Sequence, residues 1–182
     1  MRPLVSTLPP NRAYYQSTHG RWRSALELRI TDWRAFRACP MTLLDRFRVL
    51  SMLATAAVLG PLVIETEVDY HGHVEDGEVL HRTRVGKWGM TLMRSEERFV
   101  LDDDGHAFEM RGELRMAPTF LARGFGDATG RIDETGTRGR YEFDWLGTRM
   151  RQTTRLDARG AEITQETDWS RGVQMLRRIP GG

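Results

Sequence analysis

The chain has 182 residues, of which 40% are hydrophobic and 29% are charged. This length is enough for one domain with its own core, and this composition excludes a disordered tail and a collagen-like fibre. The formal net charge is +2, and arginine alternates with acidic residues along most of the chain. Because a protein that binds nucleic acid concentrates its basic charge on one face or in one run, we expect no nucleic-acid partner.

Cysteine usage and hydropathy indicate the compartment of the protein. The single cysteine, Cys39, excludes an internal disulfide framework and a multi-cysteine zinc site, and a lone thiol fits a reducing compartment. Residues 1–11 contain three prolines and lack the apolar stretch of a secretory signal. The longest uncharged run, residues 49–64, is shorter than the roughly 20 residues of a membrane-spanning helix. We therefore predict a cytoplasmic protein without a membrane span.

The beginning of the chain predicts an arm followed by a strand. Three prolines argue against a helix in residues 1–18, so we predict an extended N-terminal arm there. Tyr14 and Tyr15 of this arm either cover the mouth of the folded domain or pack on its outside. Residues 20–30 alternate with period two, which is typical of a half-buried strand. The expected inward side chains are Trp22, Ser24, Leu26, Leu28 and Ile30.

One segment changes to the helical period. In residues 41–59, apolar side chains recur every three to four positions. Pro40 precedes this segment, and Gly60 followed by Pro61 ends it. The pattern predicts one helix, or a helix broken in two. Its expected apolar face consists of Leu43, Phe47, Leu50, Ala54 and Ala57.

From residue 62 onward the sequence predicts consecutive strands. Turn-like segments such as Asp103-Asp104-Gly105 separate them and have glycine where a turn requires positive φ. Such short connections imply antiparallel neighbours, and about nine strands at this spacing indicate a meander that curls or closes. The predicted strands are 62–74, 78–88, 90–101, 106–116, 125–133, 140–147, 148–156, 161–169 and 172–179. On the last of these, the expected inward face is Val173, Met175, Arg177 and Ile179.

Two features of the sequence resemble the calycin superfamily of lipocalins and fatty-acid-binding proteins. Gly-Arg-Trp at residues 20–22 opens the first strand, and Arg177 and Arg178 lie in the last. In that superfamily a Gly-x-Trp motif packs under an arginine of the final strand, and in the fatty-acid-binding branch a helical lid separates the first two strands. The resemblance implies a mainly β fold, a single antiparallel meander barrel of about 9–10 strands. This domain would cover residues 19–180, with one helical insertion near residues 41–59.

Two alternatives stay open at this stage. Trp22 is equally well explained as an ordinary core tryptophan. The rival fold is an open curved sheet wrapped on the helix, as in helix-grip proteins, which usually end in a long C-terminal helix. Residues 161–179 alternate as strands do, which favours the barrel.

The inward faces of the predicted strands are unusually polar. They carry hydroxyl, amide, imidazole and carboxyl groups, and a buried polar group without a partner costs roughly 1–3 kcal/mol. Barrels of eight or more strands can instead enclose water or a ligand. The sequence therefore predicts an internal cavity for one small molecule. The candidate ligand-binding residues are Trp22, Thr66, Tyr70, Thr83, Ser95, Phe99, His106, Tyr141, Phe143, Trp145, Gln152, Gln165 and Trp169.

One titratable pair is a candidate for catalysis. His81 and Glu97 lie on the two strands of one predicted hairpin, and the possible registers set His81 opposite Ser95 or Glu97. In a water-poor cavity, burial and pairing would move both pKa values toward neutrality, so that the pair could transfer a proton. The alternative is a structural hydrogen bond across the hairpin.

The remaining histidines give no complete cofactor site. His71 and His73 share one strand face near acidic residues, but zinc normally requires a third protein ligand in a defined geometry. His19 and His106 could serve as axial haem ligands, but no further motif supports that role. We therefore expect no metal and no cofactor.

Two classes of function fit these features. The first is binding of a small, largely apolar, oxygenated molecule in an internal barrel cavity. The second is a cofactor-independent isomerase, cyclase or dehydratase that uses the same cavity, with His81 and Glu97 as the acid–base pair. That class is analogous to small barrels of bacterial natural-product biosynthesis. The expected partner is a small-molecule ligand or substrate, and the sequence is compatible with a homodimer. A protein-binding module would require an exposed apolar patch, which the sequence does not reveal.

Overall fold

The computed structural model describes residues 8–70, 77–119 and 122–179. Within these ranges the chain forms three helices and ten strands. The helices are α1 (Pro10–Thr18), α2 (Trp33–Ala38) and α3 (Leu43–Leu59). The strands are β1 (Gly20–Ile30), β2 (Leu62–Tyr70), β3 (Glu78–Lys87), β4 (Met90–Leu101), β5 (Ala107–Met116), β6 (Ala122–Ile132), β7 (Arg138–Trp145), β8 (Thr148–Asp157), β9 (Gly160–Glu166) and β10 (Ser170–Arg178).

The strands form one closed antiparallel barrel. Each strand pairs with its neighbour in the sequence, and β1 pairs with β10 as well as with β2. Trp22 marks this closure, because its Cα partners are Thr66 on β2 and Arg178 on β10. The structure therefore confirms the predicted single meander barrel and excludes the open sheet. Residues 71–74, the end of the predicted second strand, lie outside the described residues.

The N-terminal segment is helical over its second half. The prediction of an extended arm over residues 1–18 is wrong for Pro10–Thr18, which forms α1. Pro10 occupies the first turn of this helix, where proline is tolerated because the first N–H groups have no intrahelical acceptor in any case. A proline that looked like a helix breaker is thus the helix start. The division into an arm and a barrel domain stays a prediction.

Asn11 fixes α1 against the turn between β4 and β5. Its side chain is fully buried (0% exposed), and its Nδ2 donates to the carbonyl oxygens of Asp102 (2.8 Å) and Ala107 (3.0 Å). The backbone N–H of Asn11 donates to the carbonyl oxygen of Gly105 at 2.7 Å. Gly105 has a φ of 80°, and a Cβ there would lie 3.1 Å from Pro9. Glycine at this turn therefore permits the close approach of the helix.

The helical insertion between β1 and β2 contains two helices. The sequence predicts one helix over residues 41–59, and α3 matches it, whereas α2 is an additional helix before it. Asp32 caps α2, because its Oδ1 accepts from two N–H groups of the first turn at 2.7 and 2.9 Å. Thr42 caps α3 by accepting from the N–H of Asp45 at 3.1 Å.

The apolar face predicted for α3 is wrong. Leu43 and Phe47 are 86% and 61% exposed, whereas Met52 is buried. Asp45 is buried on the side of the helix that faces the barrel, and Arg48 Nη1 lies 3.1 Å from its Oδ1. The same arginine donates to a backbone carbonyl beyond β5 at 3.2 Å. The helix carries two apolar stripes, and this buried ion pair accompanies the stripe that faces the barrel.

Two apolar clusters occupy the two ends of the barrel. The first contains Tyr14 and Tyr15 of α1, and the second contains residues of α2 and α3. Val79 of β3 belongs to the first cluster and Val85 of the same strand to the second, so the helices cover opposite ends of the barrel. Of the two alternatives for Tyr14 and Tyr15, the structure thus shows a cover over one end.

Replacement of Asn11 tests whether this residue anchors α1. We expect Asn11→Ala to lower the free energy of unfolding by about 2 kcal/mol, because it removes two buried hydrogen bonds. For a chain of this size the melting temperature would fall by roughly 4–8 °C, which circular dichroism can follow. The control is Gln16→Ala on the exposed face of α1, expected within about 0.5 kcal/mol of the wild type. Equal melting temperatures for the two variants would contradict the anchor.

Candidate functional site

A cavity of about 160 Å³ lies inside the barrel, and residues of both apolar clusters line it. An engineered cavity of about 150 Å³ in another protein accommodates benzene, so this space is large enough for a one-ring molecule. α1 contributes Tyr14, Tyr15 and Thr18 to the wall, and α3 contributes Met52. The predicted site residues that line the cavity are Trp22, Thr66, His81, Thr83, Ser95, Glu97, Phe99, Tyr141, Phe143, Trp145, Gln152 and Gln165.

Two of the predicted ligand-binding residues do not line the cavity. Trp169 is 1% exposed and packs in the core beside Phe36, with 5.0 Å between the ring centroids. It follows β9 instead of lying within it, so the alternation of that strand does not reach it. His106 precedes β5, and its Nδ1 lies 3.2 Å from the carbonyl oxygen of Ile132. The side chain of Tyr70 lies outside the described part of the chain.

Polar side chains of neighbouring strands form a hydrogen-bonded row across one wall. Gln174 Nε2 donates to Gln165 Oε1 (3.2 Å), and Gln165 Nε2 donates to Gln152 Oε1 (2.7 Å). Gln152 Nε2 in turn donates to the hydroxyl oxygen of Tyr141. At the other end, Ser24 Oγ donates to Gln174 Oε1 (3.5 Å). We call Gln152, Gln165 and Gln174 the glutamine row.

All hydrogen bonds of the glutamine row run in one direction. The strand register produces this arrangement, because Gln152 is the Cα partner of both Tyr141 and Gln165. Each amide uses one N–H and one oxygen lone pair within the row, and a glutamine has two of each. The Tyr141 oxygen accepts, so its own hydroxyl hydrogen stays available. The row therefore offers neutral donors and acceptors to a molecule in the cavity.

Sequence reasoning missed Gln174 because it inverted the faces of β10. The inward residues are Gly172, Gln174 and Leu176. The predicted inward residues Val173, Met175 and Arg177 lie on the other face, where Met175 is 56% exposed. Hydrophobicity is misleading here because the outer face carries valine and methionine, whereas the inner face carries glycine and glutamine. The opposite charges of Glu166 and Arg171, which are Cα partners with a contact of 3.4 Å, are the signal that marks the outer face.

His81 and Glu97 face each other across the β3–β4 hairpin. They are direct Cα partners, which is one of the two registers that the sequence allows. Among the described contacts none joins their side chains. Glu97 Oε1 instead accepts from Ser95 Oγ at 2.9 Å. The His81 ring packs on Phe99, with 4.5 Å between the centroids, and its Nε2 is buried without a hydrogen-bond partner. The predicted cross-hairpin hydrogen bond is therefore absent from this pair.

Burial moves the two pKa values in opposite directions. Burial lowers the pKa of His81 to about 3, so the imidazole is neutral near pH 7. Burial raises the pKa of Glu97 to about 7, and the hydrogen bond from Ser95 offsets this only in part. The prediction that the pKa of His81 moves toward neutrality is thus wrong, because no described carboxylate forms a hydrogen bond with its ring. Desolvation also raises the pKa of Tyr14 and of Tyr141, so both stay neutral phenols.

The other histidine sites receive no support as cofactor sites. His71 and His73 lie outside the described residues. Among the residues that the structure describes, no group of three or more His, Cys, Asp or Glu side chains is arranged to hold a metal. His19 does not line the cavity, and its Nε2 lies 3.8 Å from Asp69 Oδ1 on the barrel surface. Within the described ranges, no helix has the length and apolar character needed to cross a membrane.

Trp22 takes the position that the calycin resemblance implies. The guanidinium of Arg178, in the last strand, lies 4.9 Å from the centre of the Trp22 ring. Trp22 Nε1 donates to the carbonyl oxygen of Thr18 at the end of α1 (2.6 Å). A closed meander barrel, helices between its first two strands and this tryptophan–arginine contact together define a calycin-like fold.

One solved structure of a known protein agrees with this fold. No family model matches the sequence, and no curated protein matches it. The chain is similar in structure to the REP1-NXSQ fatty acid transporter, with a TM-score of 0.52 and 11% sequence identity over 92% of this chain and 99% of that one. A mutant of the fluorescent protein UnaG gives a TM-score of 0.47 at 11% identity, over 90% of this chain and 97% of that one. At such identity the likeness to the transporter shows the fold alone.

The raised pKa of Glu97 predicts a pH-dependent difference between the wild type and Glu97→Gln. Unfolded glutamate titrates near 4.5 and folded Glu97 near 7, so the folded wild type holds a proton that the unfolded chain releases between these values. Its free energy of unfolding therefore falls as the pH rises through this window, whereas the variant lacks this titration. We expect the stability of the variant relative to the wild type to increase by about 3 kcal/mol and to level off above about pH 7.

Urea unfolding at intervals from pH 4.5 to pH 8 measures this difference, because His81 is present in both proteins and its titration cancels. The matched control is Glu96→Gln, since Glu96 lies on the outer face and pairs with Arg82 at 3.5 Å. A Glu97→Gln difference that stays flat across the window would refute the raised pKa.

Proposed function

We propose that the barrel binds one small, largely apolar molecule that carries oxygen functions. The observation that carries this proposal is the glutamine row, which presents unused hydrogen-bonding capacity to a cavity with aromatic and aliphatic walls. Apolar contact area with a few placed polar groups is typical of small-molecule sites. A carbonyl or hydroxyl oxygen of the ligand would accept a hydrogen bond from an amide N–H of the row or from the Tyr141 hydroxyl.

The aromatic part of the wall favours a flat or cyclic ligand. Tyr141 and Phe143 stack with 5.6 Å between their centroids and 24° between their planes. Trp22 and Trp145 line the same cavity. Such rings supply large contact areas of fixed shape. Because protein interiors are otherwise closely packed, a cavity of this size with such walls is better explained by a ligand than by imperfect packing.

The likeness in fold to a fatty acid transporter supports a binding role in general terms. That name describes a fatty acid transported by a protein of the same fold. The residues of this chain's own cavity, and not the fold, set the chemistry of its ligand.

A native mass spectrum of the protein, purified gently from its own host, tests the proposal. We expect a small-molecule adduct that is lost on denaturation. Ala161→Phe should abolish the adduct, because Ala161 lines the cavity and a phenyl ring would fill part of it. The matched control, Thr164→Phe, places the same ring on the other face of β9 and should keep the adduct. Equal adducts in the two variants would place the ligand outside the cavity.

A second candidate is a cofactor-independent isomerase, cyclase or dehydratase, as in natural-product biosynthesis. The observation that favours it is the Glu97 carboxyl group, which lies in the cavity with a pKa of about 7. A general acid or base works best when its pKa is near the working pH. The neutral imidazole of His81, directly opposite, could accept a hydrogen bond from the same substrate.

Turnover measurements on the adduct molecule distinguish catalysis from binding. If Glu97 transfers a proton while His81 holds the substrate, Glu97→Gln should lower kcat by about 100-fold or more. His81→Ala should also stop turnover while changing ligand affinity by no more than about tenfold. A double variant that turns over at the wild-type rate would remove the acid–base role. Unchanged recovery of the ligand from the wild type would leave binding as the function.

A further inference from the structure

The charge of the cavity wall is one-sided. The described residues that line it include no arginine and no lysine, and its titratable groups are Glu97, His81 and three tyrosines. None of the ion pairs between described residues involves Glu97. Its hydrogen bond comes from the neutral Ser95 hydroxyl. The carboxyl group thus faces the cavity without a cation from the protein.

We infer that the cavity selects a protonated organic amine through Glu97 and rejects a carboxylate of the same size. This inference rests on the proposed function and deepens it, because it fixes the charge of the ligand. The ammonium group would donate to Glu97, while oxygen functions elsewhere on the molecule would bond to the glutamine row.

A carboxylate ligand has no counter-charge in this cavity. Burying an anion away from any cation is costly, and the glutamine row offers it neutral donors but no counter-charge. Glu97 would repel it, and His81 is neutral near pH 7 and gives no positive charge. The cavity therefore differs in chemistry from a site for the fatty acid in the name of the structurally similar transporter.

The rings around the same region favour a cation. Phe99 contacts both Tyr15 and Tyr141, with centroid distances of 5.3 Å and 6.0 Å. The negative charge of Glu97 also raises the pKa of Tyr141, so these two side chains lie near each other. Aromatic faces attract ammonium groups, most strongly in sites shielded from water. A carboxylate beside several rings is therefore a suitable site for an organic ammonium ion.

The titratable groups that face Glu97 do not supply the missing cation. His81 faces it from β3, Tyr141 from β7, and Tyr14 and Tyr15 line the cavity from α1. Burial keeps His81 deprotonated and keeps Tyr14 and Tyr141 in their neutral form. A cationic ligand would thus be the sole positive charge among the described groups of this cavity.

Three probes with one ring and different charge test the inference: 2-phenylethylamine, 2-phenylethanol and phenylacetate. Binding is measured by isothermal titration calorimetry at pH 8. A primary amine is protonated at this pH, since such amines titrate near about 10. We expect the amine to bind at least about tenfold more tightly than the alcohol, and phenylacetate to bind more weakly than either. Glu97→Gln should reduce the affinity for the amine to that for the alcohol, whereas the affinity for the alcohol should stay within about twofold of the wild type. The control Glu96→Gln should change none of the three.

Every other pattern overturns the inference. Binding of phenylacetate as tight as that of the amine, or an amine affinity that survives Glu97→Gln, would show that Glu97 does not select the ligand. Equal binding of all three probes would leave small-molecule binding intact and remove charge selection. If none of the three binds while the native spectrum shows an adduct, the amine inference fails and the proposed function stands.

Discussion

Closure of the barrel between β1 and β10 is the constraint on which the other features depend. The β1–β10 register runs from Trp22 with Arg178 to Ile30 with Ser170, and β1 also pairs with β2 on its other edge. Because no strand edge is then left open, every second residue of all ten strands must point to one interior. Eight strands enclose just enough space for side chains to fill, and ten enclose more. A cavity therefore remains between the helices that cover the two ends.

Polar groups are stable in this interior because they bond to side chains of adjacent strands. Thr66 and Thr83 hydroxyls lie 3.3 Å apart on β2 and β3, and the glutamine row continues the same principle across β8, β9 and β10. Backbone groups contribute little here, since the sheet ladder already uses them. Amides and hydroxyls satisfied in this way keep a second donor or acceptor. The hydrogen bonds that stabilise these buried polar groups thus leave further donors and acceptors for a ligand.

The sequence predicts the strands better than the elements that cover the barrel. Period-two alternation placed His81, Glu97 and Gln152 inside correctly, because the barrel gives each strand one wet face and one enclosed face. The pattern fails where apolar residues lie on the outer face, as valine and methionine do on β10, so Gln174 was missed. It fails again for α3, whose inner side is marked by a tertiary contact that no local pattern contains, the hydrogen bond from Arg48 to the carbonyl oxygen of Ala117.

The adjacent residues Glu96 and Glu97 show how the fold places one carboxyl group on the outer face of the barrel and the next one in the cavity. They are the same residue type on one strand, but alternation sends Glu96 to the outer face, where it pairs with Arg82, and Glu97 to the cavity. On the outside, arginine and glutamate neutralise each other in water, and each such pair adds little to stability. Inside, Glu97 has no such partner, and its raised pKa means that ionisation destabilises the empty fold. A glutamine at this position would keep the shape and remove that cost, so the stability of the barrel does not explain the carboxyl group, whereas the proposed ligand-binding role does.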